Sequence, residues 1–582
     1  MAVEDILRYA FEKFDNNEYD DAILAFMAAH QACDDLQGKE EIFRVVNENF
    51  IAPNEEEFRK SYRDNCVFLE KKKRIHFDEI PNYEDLPLKM IPVSDSKFYV
   101  WNNEAKRFEG KDPVIISDLD AGEKKEKEFS PLLIDGYANI RLVLSEYREI
   151  RYQRLYLVYR DRELIREFFS FFAIPGIGKM LEDICVDIFD DENKLREYFI
   201  ESSAYIPRHI KTKTQFDYAT IFSEIHISRI NGKRKGDNVY LSICIPTWNR
   251  GKDALEALST LQKLMYDEEV EFVICNNEST KELEYYRQIA EIARKDKRIV
   301  YREMKSKCYR DSFENVVGIP AGRYAVFSTD QDYLITDFLD IALNYIYNHE
   351  KVGVITFKAK SQDGTVYYER EESIIYEGDF QKIFHASGSN YLSGLCFNMD
   401  MVRQKKMKKK LYDKYHDNEE NLFYLNYTHC VYATYLAAYS VIAFSNIMLF
   451  NEARTDENYI LDNGELKYQY VYPENRVKNF NSELEVLLDI GMEPLDLAQC
   501  ILNIFCDVYR LLRIAYGYYM DKMLEKHSWR EACTILYDAQ REILKNERLL
   551  DQIGRDYYPQ KMEYHIAKWY IEEISKEPIS LT

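Results

Sequence analysis

The chain has no Cys-x-x-Cys pair, no charge-free apolar run of membrane-spanning length, and a shortage of basic residues. Its 11 cysteines are scattered along 582 residues, and none is spaced with histidine as a zinc ligand set would be. A structural zinc site and a disulfide framework are therefore not expected, and a cytoplasmic, reducing compartment fits. Lys and Arg number 78 against 101 Asp and Glu, a net charge of −23. That balance excludes a general nucleic-acid or anionic-membrane binder, because phosphate contacts need clustered cations. The longest apolar stretch, Leu495 to Leu524, is broken by Asp507, Arg510 and Arg513. It reads as a buried amphipathic helix, so no membrane span is expected. The start, Met1 to Leu7, lacks the basic-then-apolar order of a signal peptide. What remains is the composition of a folded globular protein, long enough for about three or four domains.

Residues 3–35 predict two helices, because Ile6, Leu7, Ala10 and Phe11, then Ala22, Ile23, Phe26 and Met27, recur at i, i+3, i+4. The hairpin is tetratricopeptide-like at best, with no second copy, and a helical region to residue 75 is expected. From 76 to 210 short apolar strands alternate with helical stretches, which predicts a small α/β accessory module. Within it Gly176-Ile177-Gly178-Lys179 looks like a piece of a phosphate loop, but it lacks the full spacing and the following Ser or Thr. Residues 211–237, polar and basic, are expected as a linker. Residues 456–582 are expected as a C-terminal helical domain, with Ile501, Ile504, Phe505, Val508, Leu511 and Leu512 on one face. Such helical ends would also suit a homo-oligomer.

The informative stretch lies between. Leu241 to Arg250 reads as a buried strand closed by Pro246, with Thr247, Asn249 and Arg250 in the turn that follows. Glu271 to Thr280 is a second strand ending in short polar residues, among them Asn276. Gly322 to Leu334 holds a third, Tyr324 to Phe327, which stops at Ser328, Thr329, Asp330, Gln331 and Asp332. Strands alternating with helices and ending in small polar residues predict a doubly wound nucleotide-binding layout. Two carboxylates at i, i+2 on a strand end can hold one hard divalent cation, with diphosphate oxygens completing its shell.

Ser242 to Arg250, Phe272 to Thr280, and Asn315 followed by Gly322 to Asp332 together resemble the family 2 glycosyltransferases, in the family's order and spacing. The resemblance covers about residues 239–455 and implies a Rossmann-like A-type α/β core, for a catalytic domain at 238–455. It implies that Pro246, Thr247, Asn249, Arg250, Asn276 and Asp330 seat a nucleotide-diphosphate sugar, and that Asp330 and Asp332 hold Mn²⁺ or Mg²⁺. The family usually has Asp where Asn276 stands and Gly where Glu278 stands. Ser393 and Gly394 match the small-Gly pair on the acceptor side. Asp417, Glu419, Glu420 and His429 fall where the family keeps its general base, and sometimes a metal-ligating histidine, although the usual Glu-Asp dipeptide is absent. The segment before the core distantly resembles modules attached to some bacterial surface- or flagellin-modifying glycosyltransferases.

The function so implied is inverting, metal-assisted transfer of a sugar to a protein or glycan acceptor. A non-catalytic, glycosyltransferase-like binding module is the rival that Asn276, Glu278 and the missing dipeptide favour. A sugar-phosphate nucleotidyltransferase is disfavoured because no Gly-rich phosphate loop follows the first strand. Arg403 to Lys410, the densest basic run, reads either as a solvated helix face or as a contact for an anionic acceptor or diphosphate.

Overall fold

The computed structural model describes residues 2–116, 127–232, 238–362, 364–376, 379–452, 466 and 469–576. They divide into two compact units, Met1–Ser228 and Arg229–Thr582.

In the first unit the expected hairpin is present as helices Val3–Asp15 and Tyr19–Ala32. The α/β texture of 76–210 condenses into a parallel five-stranded sheet. Its order is Ile75–His76, Val186–Phe189, Leu155–Val158, Leu132–Asp135, His209–Thr212. Three of these strands are buried throughout, as a sheet covered on both faces requires. The glycine pair has a structural explanation. Gly176 has φ +81° before a seven-residue helix, and the Gly178 N–H donates to Asn65 Oδ1 at 3.1 Å. The amide that would cradle a phosphate is already used inside the fold. Within the expected linker 211–237 the first residues end the edge strand, and Tyr218–Asn231 is a helix.

The second unit carries the site. Numbering its elements from the first strand, β1 is Leu241–Thr247, β2 Val270–Asn276, β3 Ile299–Glu303 and β4 Tyr324–Phe327. The short β5 is Asp332–Leu334, β6 is Val354–Lys360, β7 Leu395–Asn398 and β8 Ile442–Glu452. The sheet runs β3-β2-β1-β4-β7-β6-β8-β5, with two short strands attached to β6 and β8. Strands β1 to β4 are mutually parallel, and β7 is antiparallel to β4 and β6. The chain moves outward from β1 to β3 and then crosses back to β4 on β1's other side. That reversal opens a crevice between the carboxyl ends of β1 and β4. Helices α1 (Gly251–Gln262), α2 (Leu283–Lys295) and α3 (Tyr309–Val317) make the crossovers.

Beyond β5, α4 (Phe380–Ser387) and α5 (Thr428–Tyr439) lie under the C-terminal helices, which include α6 (Pro473–Ile490) and α7 (Pro494–Lys526). Buried side chains run without a break from Phe327 and Phe397 in the sheet, through Tyr432 and Leu436 on α5, to Leu484, Phe505 and Leu512. The segments expected as two domains, 238–455 and 456–582, thus share one hydrophobic core. Its closeness is visible at Gly394, with φ +94° and a Cβ position 2.2 Å from the Phe357 carbonyl oxygen, in a tight β6–β7 approach. Among the described residues no helix is long and apolar enough to cross a membrane.

Replacing Gly394 and Gly364 by Ala separates backbone strain from collision. Both have positive φ, but nothing among the described residues lies within 4 Å of a Cβ at Gly364. Gly364→Ala should cost about 1–2 kcal/mol from backbone conformation alone, and Gly394→Ala more than about 4 kcal/mol. Equal denaturation midpoints for the two variants would contradict the collision.

Candidate active site

The crevice is built from the ends of β1, β2 and β4. Parallel pairing of β1 with β4 aligns Cys244 with Phe327, so Thr247 and Asp330 emerge side by side. Thr247 Oγ1 donates to Asp330 Oδ2 at 2.8 Å and also meets the Tyr286 hydroxyl at 2.8 Å. Tyr286, on α2, accepts the Arg250 N–H at 3.1 Å, and the Arg250 guanidinium reaches Asp330 Oδ1 at 3.3 Å. Both oxygens of Asp330 are therefore engaged. Burial pushes its carboxyl up to about 6, against the pull of Arg250 and Thr247 toward the charged form.

Asp332 is held differently. Its Oδ2 accepts from Thr329 Oγ1 and Tyr391 OH, both at 2.9 Å, and from Ser393 Oγ. Three donors on one oxygen fix the plane of the carboxylate. Its Oδ1 accepts no hydrogen bond among the described residues, and a carboxylate oxygen of this kind suits a hard cation. Ser393 also accepts the Thr329 N–H at 2.9 Å. The ring of Tyr391 stacks on Tyr367 at 3.6 Å between centroids.

The floor is a web of asparagines. Asn276 Nδ2 donates to Tyr301 OH at 3.1 Å, and its Oδ1 accepts the Ser279 N–H at 3.2 Å. Asn277 donates to Ser312 at 2.6 Å and accepts from Asn315 at 3.3 Å. Asn249, at φ +56°, accepts the Thr280 and Lys281 N–H groups and ties the turn after β1 to the one after β2. Glu278 has φ +54°, so the turn keeps the left-handed conformation that glycine favours, at a cost of about 1–2 kcal/mol. Gly322 is required sterically, because a Cβ there would stand 2.6 Å from Ser242 Oγ.

Residues 242–429 match the model of Glycosyl transferase family 2. The central segment is a family 2 glycosyltransferase domain. Among solved structures, residues 1–349 of S. aureus TarS align at 15% identity, covering 58% of this chain and 91% of that one, with TM-score 0.38. The same fragment in complex with UDP-GlcNAc aligns at 16% identity over 58% and 91%, with TM-score 0.37. The mannosyltransferase PcManGT from Pyrobaculum calidifontis, in complex with GDP-Man and Mn²⁺, aligns at 12% identity over 62% and 95%, with TM-score 0.32. No curated protein matches the chain. The family makes nucleotide-sugar-dependent glycosyl transfer the activity in general terms.

Other expected site residues of the glycosyltransferase domain lie apart. Asp417, Glu419 and Glu420 are exposed on the turn between Tyr415 and Leu422. His429, on α5, is 3% exposed, with Nδ1 at 2.7 Å from Tyr309 OH and Nε2 unpartnered among the described residues. Burial pulls its imidazole down to about 4, so it is neutral at pH 7. Asp330, Asp332 and His429 do not gather as three ligands of one ion. Among the described residues the group with that geometry is Asp311, Glu314 and His416, with ligand atoms within 4.8 Å. There Arg310 pairs with Asp311 at 3.2 Å, Tyr424 donates to Glu314 at 2.6 Å, and His416 Nδ1 lies 2.9 Å from Glu314, so protein groups already serve the cluster. Pro246 remains in β1. The basic run is spread over two short helices, with Arg403 on the Pro320 and Gly322 carbonyls and Lys410 on Tyr439 OH.

The raised Asp330 carboxyl predicts a pH-dependent stability effect. The native state holds that proton to about pH 6 while the unfolded chain, near its ordinary 3.8, releases it. Stability therefore falls as pH rises through this window. Asp330→Asn should be stabilising relative to wild type at pH 8, by about 1–3 kcal/mol, and by much less at pH 4. An equal difference at both pH values would rule out buried charge as the cause.

Proposed function

We propose that the protein is an inverting glycosyltransferase that moves a sugar from a nucleotide-diphosphate sugar to a protein or glycan acceptor, assisted by Mn²⁺ or Mg²⁺. The carrying observation is the meeting of Thr247, Arg250, Asp330 and Asp332 at the crevice between β1 and β4, with one Asp332 oxygen left open. In this reading Thr247, Arg250 and Asn276 seat the nucleotide, and Asp330 holds Arg250 in place for it. Asp332 holds the cation, which when bound neutralises charge on the departing diphosphate.

In a single displacement the acceptor oxygen bonds to the anomeric carbon as the bond to the diphosphate breaks, and a base takes the hydroxyl proton. His429 has the strongest case among the candidates. Its imidazole is neutral, its buried Nε2 has no partner among the described residues, and it lies near the backbone of Ser389 and Asn390. That backbone leads directly to Tyr391 and Ser393 on Asp332. The exposed Asp417, Glu419 and Glu420 are better suited to meeting the acceptor. The regions flanking the domain favour a macromolecular acceptor. A cytoplasmic setting agrees with all 11 cysteines being free.

Thermal stability against a panel of nucleoside diphosphates, with and without Mn²⁺, tests the donor half. One nucleotide should raise the midpoint in a metal-dependent way, and Asp332→Ala should lose the metal dependence. The absence of any shift in wild type would favour a binding module without catalysis. For the base, His429→Gln should lower kcat by about a hundredfold or more while leaving donor affinity unchanged. An unaltered kcat would return the role to the loop acids.

A further inference from the structure

A cavity of about 120 Å³ lies between α4, the segment after it, and the C-terminal helices α6 and α7. By the measure in which a single water needs about 10–15 Å³, it is large enough for a small ring. None of its lining residues belongs to the Asp330–Asp332 crevice.

Helix α6 presents Arg476, Asn479 and Glu483 to this space. The spacing is i, i+3, i+7, one stripe of a helix. A stripe turned toward another protein layer is ordinarily apolar, as Leu484, Leu487 and Leu488 are on the same helix. Asn479 is only 8% exposed, yet its Oδ1 has no hydrogen-bond partner among the described residues, and neither does Arg476 Nε. A buried polar atom left without a partner costs about 1–3 kcal/mol. Both residues also line the cavity, so a bound molecule would meet this wall through their remaining polar atoms.

The rest of the lining narrows the class of ligand. Two guanidiniums, Arg476 and Arg510, face two carboxylates, Glu483 and Asp507, so the formal charges cancel. Arg510 and Asp507 are already paired to each other at 2.5 and 3.2 Å. Even with Glu483 partly protonated the site carries less than one net positive charge near neutrality, too little to favour a diphosphate. Phe384, Phe423, Tyr427 and Phe480 supply apolar faces between the polar groups, the mixture expected of a small-molecule pocket. Burial raises the Glu483 carboxyl to about 7, so near neutrality it can either donate to or accept from a hydroxyl.

We propose that this cavity binds a neutral, polyhydroxylated ring, a sugar residue, with Asn479, Glu483 and Arg476 hydrogen-bonded to its hydroxyls and the aromatic rings against its C–H faces. The site shares no lining residue with the donor crevice, and its assignment does not rest on the reading of the donor site above. The sugar would be a unit of an acceptor glycan or a sugar carried by the donor.

Saturation-transfer NMR on the full-length protein tests this, using the methyl glycosides of glucose, galactose, mannose and N-acetylglucosamine without nucleotide or metal. At least one glycoside should bind the wild type, and Asn479→Leu should weaken it by roughly tenfold. Removing an unsatisfied amide leaves the free variant at least as stable as wild type. Glu483→Gln, which keeps the side-chain shape, should weaken the same glycoside several-fold and serves if Asn479→Leu fails to fold. Competition with nucleotide sugars identifies the source: displacement by a nucleotide sugar but not by its nucleoside diphosphate assigns the site to the donor's sugar, and persistence with both present assigns it to an acceptor. The proposal is overturned if no glycoside binds at millimolar concentration, if binding is unchanged in the variants, or if the nucleoside diphosphate alone displaces it. Failure here would leave the metal-dependent nucleotide shift untouched, so the two readings fall separately.

Discussion

A single hydrogen bond, Thr247 Oγ1 to Asp330 Oδ2 across 83 positions of sequence, joins the two strand ends that define the crevice. It exists because β1 and β4 are parallel neighbours although β2 and β3 come between them in the chain. Right-handed crossovers by α1, α2 and α3 are what such an order demands. Once the two ends adjoin, the rest of the crevice is constrained. Arg250 starts the turn into α1 and turns back onto Asp330, and Tyr286 on α2 closes the loop by meeting both Thr247 and the Arg250 backbone. The polar groups hold one another, so the site is preorganised rather than dependent on its ligand for shape.

The two carboxylates of this pair are unequal. Asp330 is occupied by Thr247 and Arg250, and its burial disfavours the charge it carries. Asp332 is braced through a single oxygen by three hydroxyls. Spacing in the sequence treats Asp330 and Asp332 as equivalent members of one motif. Their environments differ: one carboxylate is engaged at both oxygens, and the other has an oxygen that accepts no hydrogen bond among the described residues.

Strands β1, β2 and β4 of the core were legible because they are short, mostly apolar runs ended by small polar residues, which leaves little choice of secondary structure. The hairpin at the start was legible through its helical period. Less of the surroundings could be read. Asn277, Tyr286, Tyr301 and Tyr391 all shape the site, yet 47 tyrosines in the chain make no one of them stand out. Asn277 stands beside Asn276, and only the fold shows that it is the one pointing back to Ser312 and Asn315. Glu278 looked costly where glycine is usual, and the observed φ of +54° shows that the turn was kept regardless. A boundary at 455 suggested two domains because α/β alternation stops there. Continuity of a core depends on contacts between distant residues, such as the ring of Tyr427 against Tyr470 and the Tyr415 hydroxyl on Asp489, and no local pattern encodes it.

The bracing of Asp332 has a consequence for how the crevice responds to its surroundings. Two of its three hydroxyl donors, Tyr391 and Ser393, lie in the link between α4 and β7, not in the strands of the nucleotide half. A carboxylate aimed by a neighbouring segment inherits that segment's order. When residues 388–393 are packed, the open oxygen has one direction; when they loosen, it loses two of its three guides. With a cation at Asp332, as proposed, anything that stiffens the link would tighten the grip on it, and by reciprocity the bound cation would stiffen the link. The crevice and the wall beside it are thus thermodynamically one device, joined by two hydroxyl groups.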